Sequence, residues 1–411
     1  METTTVPVAS SAPVLDTVVT FVGGAPVAAG GDPLAIGWVN QEGGSPSFPE
    51  ATLGFASGVQ YLNLSGGGIG GRTIAIHQCA ITRAADGARC AAELAADPAV
   101  AVVVVGAVAI GNAELLEGLR GVKPVVLSTP LTTADFLAPD AVAFTPGSPG
   151  IIAGLARFAT SGLPSGPPAK AAVLYPTGLA GEAAYQLLAK PVFDAAGIPV
   201  VPVPVFEGAS AAAFAQALRD AGAADAGVML PILGMRGCAA LAGALNELAS
   251  GAVVLATDAC LGATMTSAVA ALGGSGPLPE GWYVGSNGFR FQIPGDAELD
   301  AFVGIVGNVM VSNGLPPTDV SGYAAASFGA LMNVVKVANT LGPEGWTAEA
   351  MRPALRSFGG PAWGVAGAQS CGFNAFYPSL CGTQMGVERF AGGAWQPIAD
   401  GYTGAPISLT G

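Results

Sequence analysis

From Pro33 onward, short runs rich in Val, Ile and Leu alternate with amphipathic stretches of helical period, and this alternation limits the possible folds more than any other feature of the chain. Residues 34–39 read as a strand, 40–49 as a Gly-rich loop, 50–64 as a helix and 73–78 as the next strand. The pattern repeats with a helix at 85–96, a strand at 100–105, a helix at 112–119 and a strand at 124–127. The third strand is apolar at every position from Val102 to Val105, as expected for a strand of a parallel sheet covered on both faces. The apolar run around it, 99–110, is closed off by Pro98 and Asn112. It is too short for a bilayer core, which takes about 20 apolar residues.

Pro and Gly crowd residues 144–150, where both helices and strands must end, so the chain is expected to pass there into a second lobe. A second alternating series follows, with helices predicted at 151–160, 181–196, 211–221 and 238–248 and strands at 171–175, 200–205, 226–230 and 253–256. Helices return at 296–312 and 321–341, before a strand-rich tail over 371–411. A chain of 411 residues exceeds one ordinary core, so two α/β lobes are the expectation. Residues 1–32, rich in Thr, Ser, Val, Ala and Pro, read as a flexible linker.

The charge balance, 15 Lys and Arg against 28 Asp and Glu, argues against nucleic acid, whose phosphates need clustered basic side chains. The one histidine, His77, alternates with Ile74 and Ile76 on a strand and reads as structural, which disfavours a Ser–His triad and removes a histidine-rich metal site, and no metal or cofactor is expected. Gly66, Gly68 and Gly71 match a dinucleotide fingerprint, but they follow a helix and precede a strand, the reverse of the required context, and read as a turn. No catalytic constellation is evident, so the chain does not read as an enzyme.

Six cysteines are spaced for local pairing: Cys79 with Cys90, Cys238 with Cys260, and Cys371 with Cys381. The rival reading, zinc, is disfavoured by the absence of CxxC pairs. Disulfides persist in oxidising surroundings, so an extracytoplasmic location is expected, secreted or lipid-anchored.

In open parallel sheets a ligand sits beyond the carboxyl ends of the strands. The loops there are 40–48, 106–112 and 128–135 in the first lobe and 175–180, 230–236 and 257–262 in the second. These loops supply Gln41, Glu42, Phe48, Asn112, Leu179 and Met235 as candidate ligand contacts. Asp258, directly after a strand, reads either as a carboxylate for a ligand ammonium or as a turn aspartate. Phe289 and Phe291, flanking Arg290, read either as a cap on a cleft or as packing at a lobe crossing.

The segments Ile36-Gly37-Trp38-Val39-Asn40-Gln41-Glu42-Gly43-Gly44, Val105-Gly106-Ala107 and Val125-Val126-Leu127-Ser128-Thr129-Pro130-Leu131-Thr132-Thr133, in this order, resemble the branched-chain amino-acid-binding family of type I periplasmic solute-binding proteins, which serve ABC importers. The resemblance spans nearly all of the chain after Pro33. It implies two Rossmann-like parallel-sheet lobes joined by a three-segment hinge, with crossings near Thr145, Asn287 and Gly367. The first lobe would be 33–147 completed by 288–366, and the second 148–287 completed by 367–411.

The resemblance also implies a small-molecule ligand, an amino acid or analogue, and a membrane permease as partners of a monomer. Ile110, Gly111, Leu131, Thr132 and Thr133 match the first-lobe positions that grip an amino acid, and Asp258 matches the acidic residue that meets its ammonium. The family's second-lobe tyrosines fall on Ala180 and Leu233, which implies a wider, less aromatic pocket. The alternative function is sensing, with the ligand state reported to a receptor in place of a permease.

Overall fold

The computed structural model describes residues 12–286, 296–307, 309, 322–365 and 367–398. It divides into two compact units: Met1–Gly147 with Pro294–Gly382, and Ser148–Ile293 with Thr383–Gly411. The expected crossing near Asn287, and with it Phe289, Arg290 and Phe291, lies outside the described residues.

The first unit is built on a parallel sheet in the order β2-β1-β3-β4-β5, from strands Gly30–Gln41, Arg72–Ile81, Val100–Ala107, Val125–Thr129 and Ala141–Val142, numbered β1 to β5 along the chain. Every residue of β3 is buried, so the all-valine centre does what its pattern predicts. One face is covered by α3 (Asp86–Ala96) and α4 (Asn112–Leu119), whose Leu94, Leu115 and Leu119 join Val103 and Val105 in one apolar cluster. On α2 (Pro49–Leu64) and the late helix Tyr323–Leu341 the small residues face each other. A β-carbon added at Gly54 would stand 2.2 Å from the Ala324 carbonyl oxygen, so only glycine allows this approach.

The segment expected to be a linker contains a helix, α1 (Ala12–Val22), and this is a correction to the sequence reading. Val18 and Val22, one turn apart, are fully buried, and Phe21 meets Trp363 edge-on at 5.1 Å between ring centroids. Valine at 14, 18 and 22 forms an apolar stripe of helical spacing that composition alone concealed. The second difference is the last crossing, which falls at 382/383 and not near Gly367. Residues 379–382 are held in the first unit by main-chain bonds, Ala143 N–H to the Ser379 carbonyl, Cys381 N–H to the Ala143 carbonyl and Gly382 N–H to the Thr145 carbonyl, which extend the sheet beyond β5.

The second unit carries a sheet in the order β14-β13-β10-β9-β8-β6-β7. Strands β6 to β10 are Ala171–Pro176, Val200–Val205, Val228–Pro231, Val253–Thr257 and Tyr283–Ser286, all parallel. A hairpin of β13 (Gly386–Ala391) and β14 (Ala394–Pro397) adds antiparallel to β10; β11 (Gly359–Pro361) and β12 (Ala368–Ser370) pair with each other in the first unit. On the outer strand β7 the buried Val203 and Val205 alternate with exposed Pro202 and Pro204. Proline has no amide hydrogen and is tolerated in sheets mainly at such edges.

The six cysteines form the three disulfides expected from their spacing, 79–90, 238–260 and 371–381. Among the described residues no helix is long and apolar enough to cross a membrane. His77 serves the fold, with its Nδ1 2.5 Å from Asp97 Oδ2.

The turn between β2 and α3 is organised by Asp86, whose Oδ2 accepts from Thr82 N–H at 3.0 Å, Thr82 Oγ1 at 2.8 Å and Arg83 N–H at 3.1 Å. The bonds from Thr82 hold the Asp86 carboxyl far below the ordinary carboxylate range. Because the folded value is depressed, its contribution to stability is complete above the unfolded aspartate value, about 3.9, and drains away as pH falls below that. Denaturant unfolding at pH 7, 4 and 3 is expected to give Asp86→Asn a smaller loss on acidification than the parent, and equal losses would rule out this contribution.

Candidate functional site

The carboxyl ends of β1, β3 and β4 form one edge of the first unit, where several polar side chains bond to one another and to the loop main chain. Asn40 at the end of β1 accepts from Ala107 N–H at 3.0 Å and donates to the Phe48 carbonyl at 2.7 Å and to Glu42 Oε1 at 2.9 Å. Thr52 Oγ1 donates to the same Glu42 oxygen and receives the Trp38 indole N–H at 2.7 Å. Gln41, fully buried, accepts from Ala109 N–H at 2.9 Å and donates to the Pro46 carbonyl at 2.7 Å. These bonds tie the loop after β1 to the loop after β3. The Phe48 ring packs on Tyr323 with centroids 4.7 Å apart.

The loop after β3 turns at Gly111, whose φ of +72° lies in the left-handed region, and a β-carbon there would stand 2.4 Å from the Ala84 carbonyl oxygen. Gly111 therefore seats the loop on the β2–α3 turn. Half-buried Ile110 precedes it, and Asn112, which opens α4, donates through Nδ2 to Thr132 Oγ1 and to Asp135 Oδ1, the latter at 3.0 Å. Thr132 caps the short helix α5 (Thr133–Leu137) in a capping box with Asp135. Asp135 Oδ2 also accepts from Leu131 N–H and Thr132 N–H, both at 2.9 Å. Burial raises the Asp135 carboxyl above its usual range despite these bonds.

Of the first-unit residues picked from the sequence, Gln41, Asn112 and Thr132 thus use their polar atoms to hold the edge together. Thr133 is exposed, while Glu42, Phe48, Ile110 and Leu131 are half-buried. Not singled out from sequence is Thr129, last in β4, whose Oγ1 is buried with no hydrogen-bond partner. Its place at a strand end within a Ser-Thr-Pro run was the available signal.

In the second unit the corresponding edge carries the loops after β6, β7, β8 and β9. After β6, Gly178 takes φ +120° and the short helix Leu179–Ala184 begins; Leu179 is 91% exposed and Ala180 is also exposed. Tyr175, at the end of β6, stacks on Tyr185 at 5.2 Å between ring centroids. Burial, aided by its bond to Glu182, pushes the Tyr175 hydroxyl up to about 12. After β7, Phe206 is 69% exposed, and Glu207 accepts from Gly234 N–H, the cap of the helix Met235–Glu247.

Leu233 is 4% exposed and belongs to the hydrophobic core of this unit, so its side chain is committed to packing. Half-buried Met235 lies over Gly262, where a β-carbon would stand 2.4 Å from the Met235 methyl. After β9, half-buried Asp258 opens a 3₁₀ turn, Asp258–Cys260, that the Cys238–Cys260 disulfide ties to the first turn of the neighbouring helix. Asp258, Met235, Leu179 and Ala180 therefore share one edge of one sheet.

No family model and no curated protein matches the chain. Solved structures do. A substrate-binding protein of an ABC transporter from Aeropyrum pernix superposes with a TM-score of 0.69 at 17% identity, covering 92% of this chain and 98% of the other. A leucine-binding protein from Thermotoga maritima gives 0.63 at 14% identity, covering 91% and 99%. A solute-binding protein from R. palustris in complex with benzoate gives 0.62 at 16% identity, covering 91% and 97%. The fold is that of the type I periplasmic binding proteins, as the resemblance in the sequence implied, and its solved examples are ABC-transporter substrate-binding proteins, leucine-binding ones among them.

Proposed function

We propose that this protein captures a small solute outside the cytoplasm and delivers it to an ABC importer, binding without transforming its ligand. The observation that supports this most directly is the pair of open parallel sheets, each ending at its carboxyl edge in loops fastened to one another by side-chain bonds or a disulfide. Such edges are where α/β sheets hold ligands. In this reading the bound solute shifts the protein toward a closed population that the permease recognises.

The solved structures of this fold name leucine and benzoate among their ligands, which favours a small amine or carboxylate, an amino acid or a relative of one. The first-unit contacts would be main-chain groups around Ile110, Gly111, Leu131 and Thr132, with the hydroxyls of Thr129 and Thr133. Asp258 would receive an ammonium where the solute has one. The three disulfides favour the same extracytoplasmic setting.

A thermal-shift screen of amino acids, amides, polyamines and organic acids is expected to find a solute that raises the melting temperature, since binding to the native state alone stabilises it. With that solute, small-angle scattering is expected to give a smaller radius of gyration than without it. Unchanged dimensions with every stabilising solute would remove the closure mechanism.

A further inference from the structure

The three strands β8, β6 and β7 are consecutive in the second unit's sheet, and each is followed at its carboxyl end by one conspicuous side chain: Arg236, Leu179 and Phe206 respectively. Main-chain bonds keep the loops in register, Ile232 N–H to the Leu174 carbonyl at 2.8 Å and Thr177 N–H to the Val205 carbonyl at 2.9 Å. With neighbouring strands about 4.8 Å apart, the three strand ends span a strip of edge roughly 10 Å wide, and the loops carrying these residues leave from it.

Leu179 and Phe206 are 91% and 69% exposed; Leu187 and Leu272, also exposed in this unit, lie outside these loops, on a helix and at a helix end. Arg236 is exposed and joins no ion pair among the described residues. It is also the one cation in the loops 175–180, 206–210, 230–236 and 257–262. The one acid on the loops after β6, β7 and β8, Glu207, accepts from Gly234 N–H.

Two exposed hydrocarbon side chains and one unpaired cation on the loops of a single edge complement an apolar body bearing a negative charge. The strip is far smaller than the roughly 800 Å² per partner that a stable protein interface buries, which argues for a small molecule over a second chain. We infer that this edge recognises a solute with an apolar body and one carboxylate, Arg236 meeting the carboxylate and Leu179 and Phe206 the hydrocarbon. The inference rests on the solute-capture reading and narrows its ligand class.

Titration calorimetry of the full chain with hexanoate, phenylacetate, the primary amide of each, and leucine tests it. Both acids are expected to bind, with the amides weaker by about tenfold or more, because the charge-assisted pair is lost. Arg236→Gln is expected to weaken the acids by a similar factor. Leu179→Ser and Phe206→Ser should each weaken them several-fold at unchanged melting temperature, both side chains being largely in water before binding. Amides that bind as tightly as acids, or undiminished acid affinity in Arg236→Gln, would overturn the assignment. Leucine binding that Asp258→Asn abolishes and Arg236→Gln leaves intact would also overturn it, while leaving solute capture in place. Silence across this panel and a broad solute library would instead sink solute capture itself, and the carboxylate assignment with it.

Discussion

Asp135→Ala is expected to lower the unfolding free energy by on the order of 3 kcal/mol, read as a shift in the denaturant midpoint at unchanged slope. The carboxylate is 2% exposed and accepts from Leu131 N–H, Thr132 N–H and Asn112 Nδ2. Alanine leaves several buried donors without an acceptor at once, each costing about 1–3 kcal/mol, with relaxation and entering water returning part of the loss. Burial already raises this carboxyl, so the parent tolerates mild acid here: protonation of Asp135 favours the folded state as pH falls, opposite in sign to Asp86. The loops after β3 and β4 share Asp135 as their common acceptor. Amide exchange over 109–112 and 130–133 is therefore expected to accelerate in the variant; unchanged exchange there would show that the loops are held by other contacts.

Trp38→Ala is expected to cost about 3–5 kcal/mol, the usual range for removing a large aromatic from a packed interior. Trp38 is fully buried in β1, its ring stacked on Phe55 with centroids 4.2 Å apart and planes 14° from parallel. The substitution opens a cavity between sheet and α2 and deprives Thr52 Oγ1 of the indole N–H that steers it toward Glu42. Thermal unfolding followed by circular dichroism measures this. A drop of only a degree or two would mean that the interface between β1 and α2 closes over the gap.

Much of the architecture was legible because its signals are local. The valine run of β3, the alternation after Pro33 and the crowding of Pro and Gly before residue 150 are patterns of neighbours, and strand boundaries read from them fall within a few residues of those observed. Cysteine pairing was legible for the same reason, each pair being close in sequence. The helix Ala12–Val22 was overlooked because its composition is that of a linker, and only its fourfold spacing of valine shows a buried face.

The site was less legible, since a polar side chain at a strand end carries no local sign of what it bonds to. Gln41 and Asn112 look like ligand contacts until Ala109 N–H, which donates to Gln41 Oε1, and Asp135, which accepts from Asn112, both distant in sequence from their partners, are seen to occupy them. Leu233 and Leu179 illustrate the converse. Both are leucines in loops of one sheet edge, yet one packs in the core and the other stands in water. That difference depends on what each loop packs against, which the residue type does not encode.

The outer strand β7 turns Pro202 and Pro204 toward solvent. A foreign chain laid along that margin would meet carbonyl oxygens but no amide hydrogens at alternate rungs, so the ladder it needs has gaps at two-residue intervals. For a molecule rich in valine strands this guards against open-ended fibre growth from the β7 margin, and a Pro202→Val, Pro204→Val double replacement would strip that guard away.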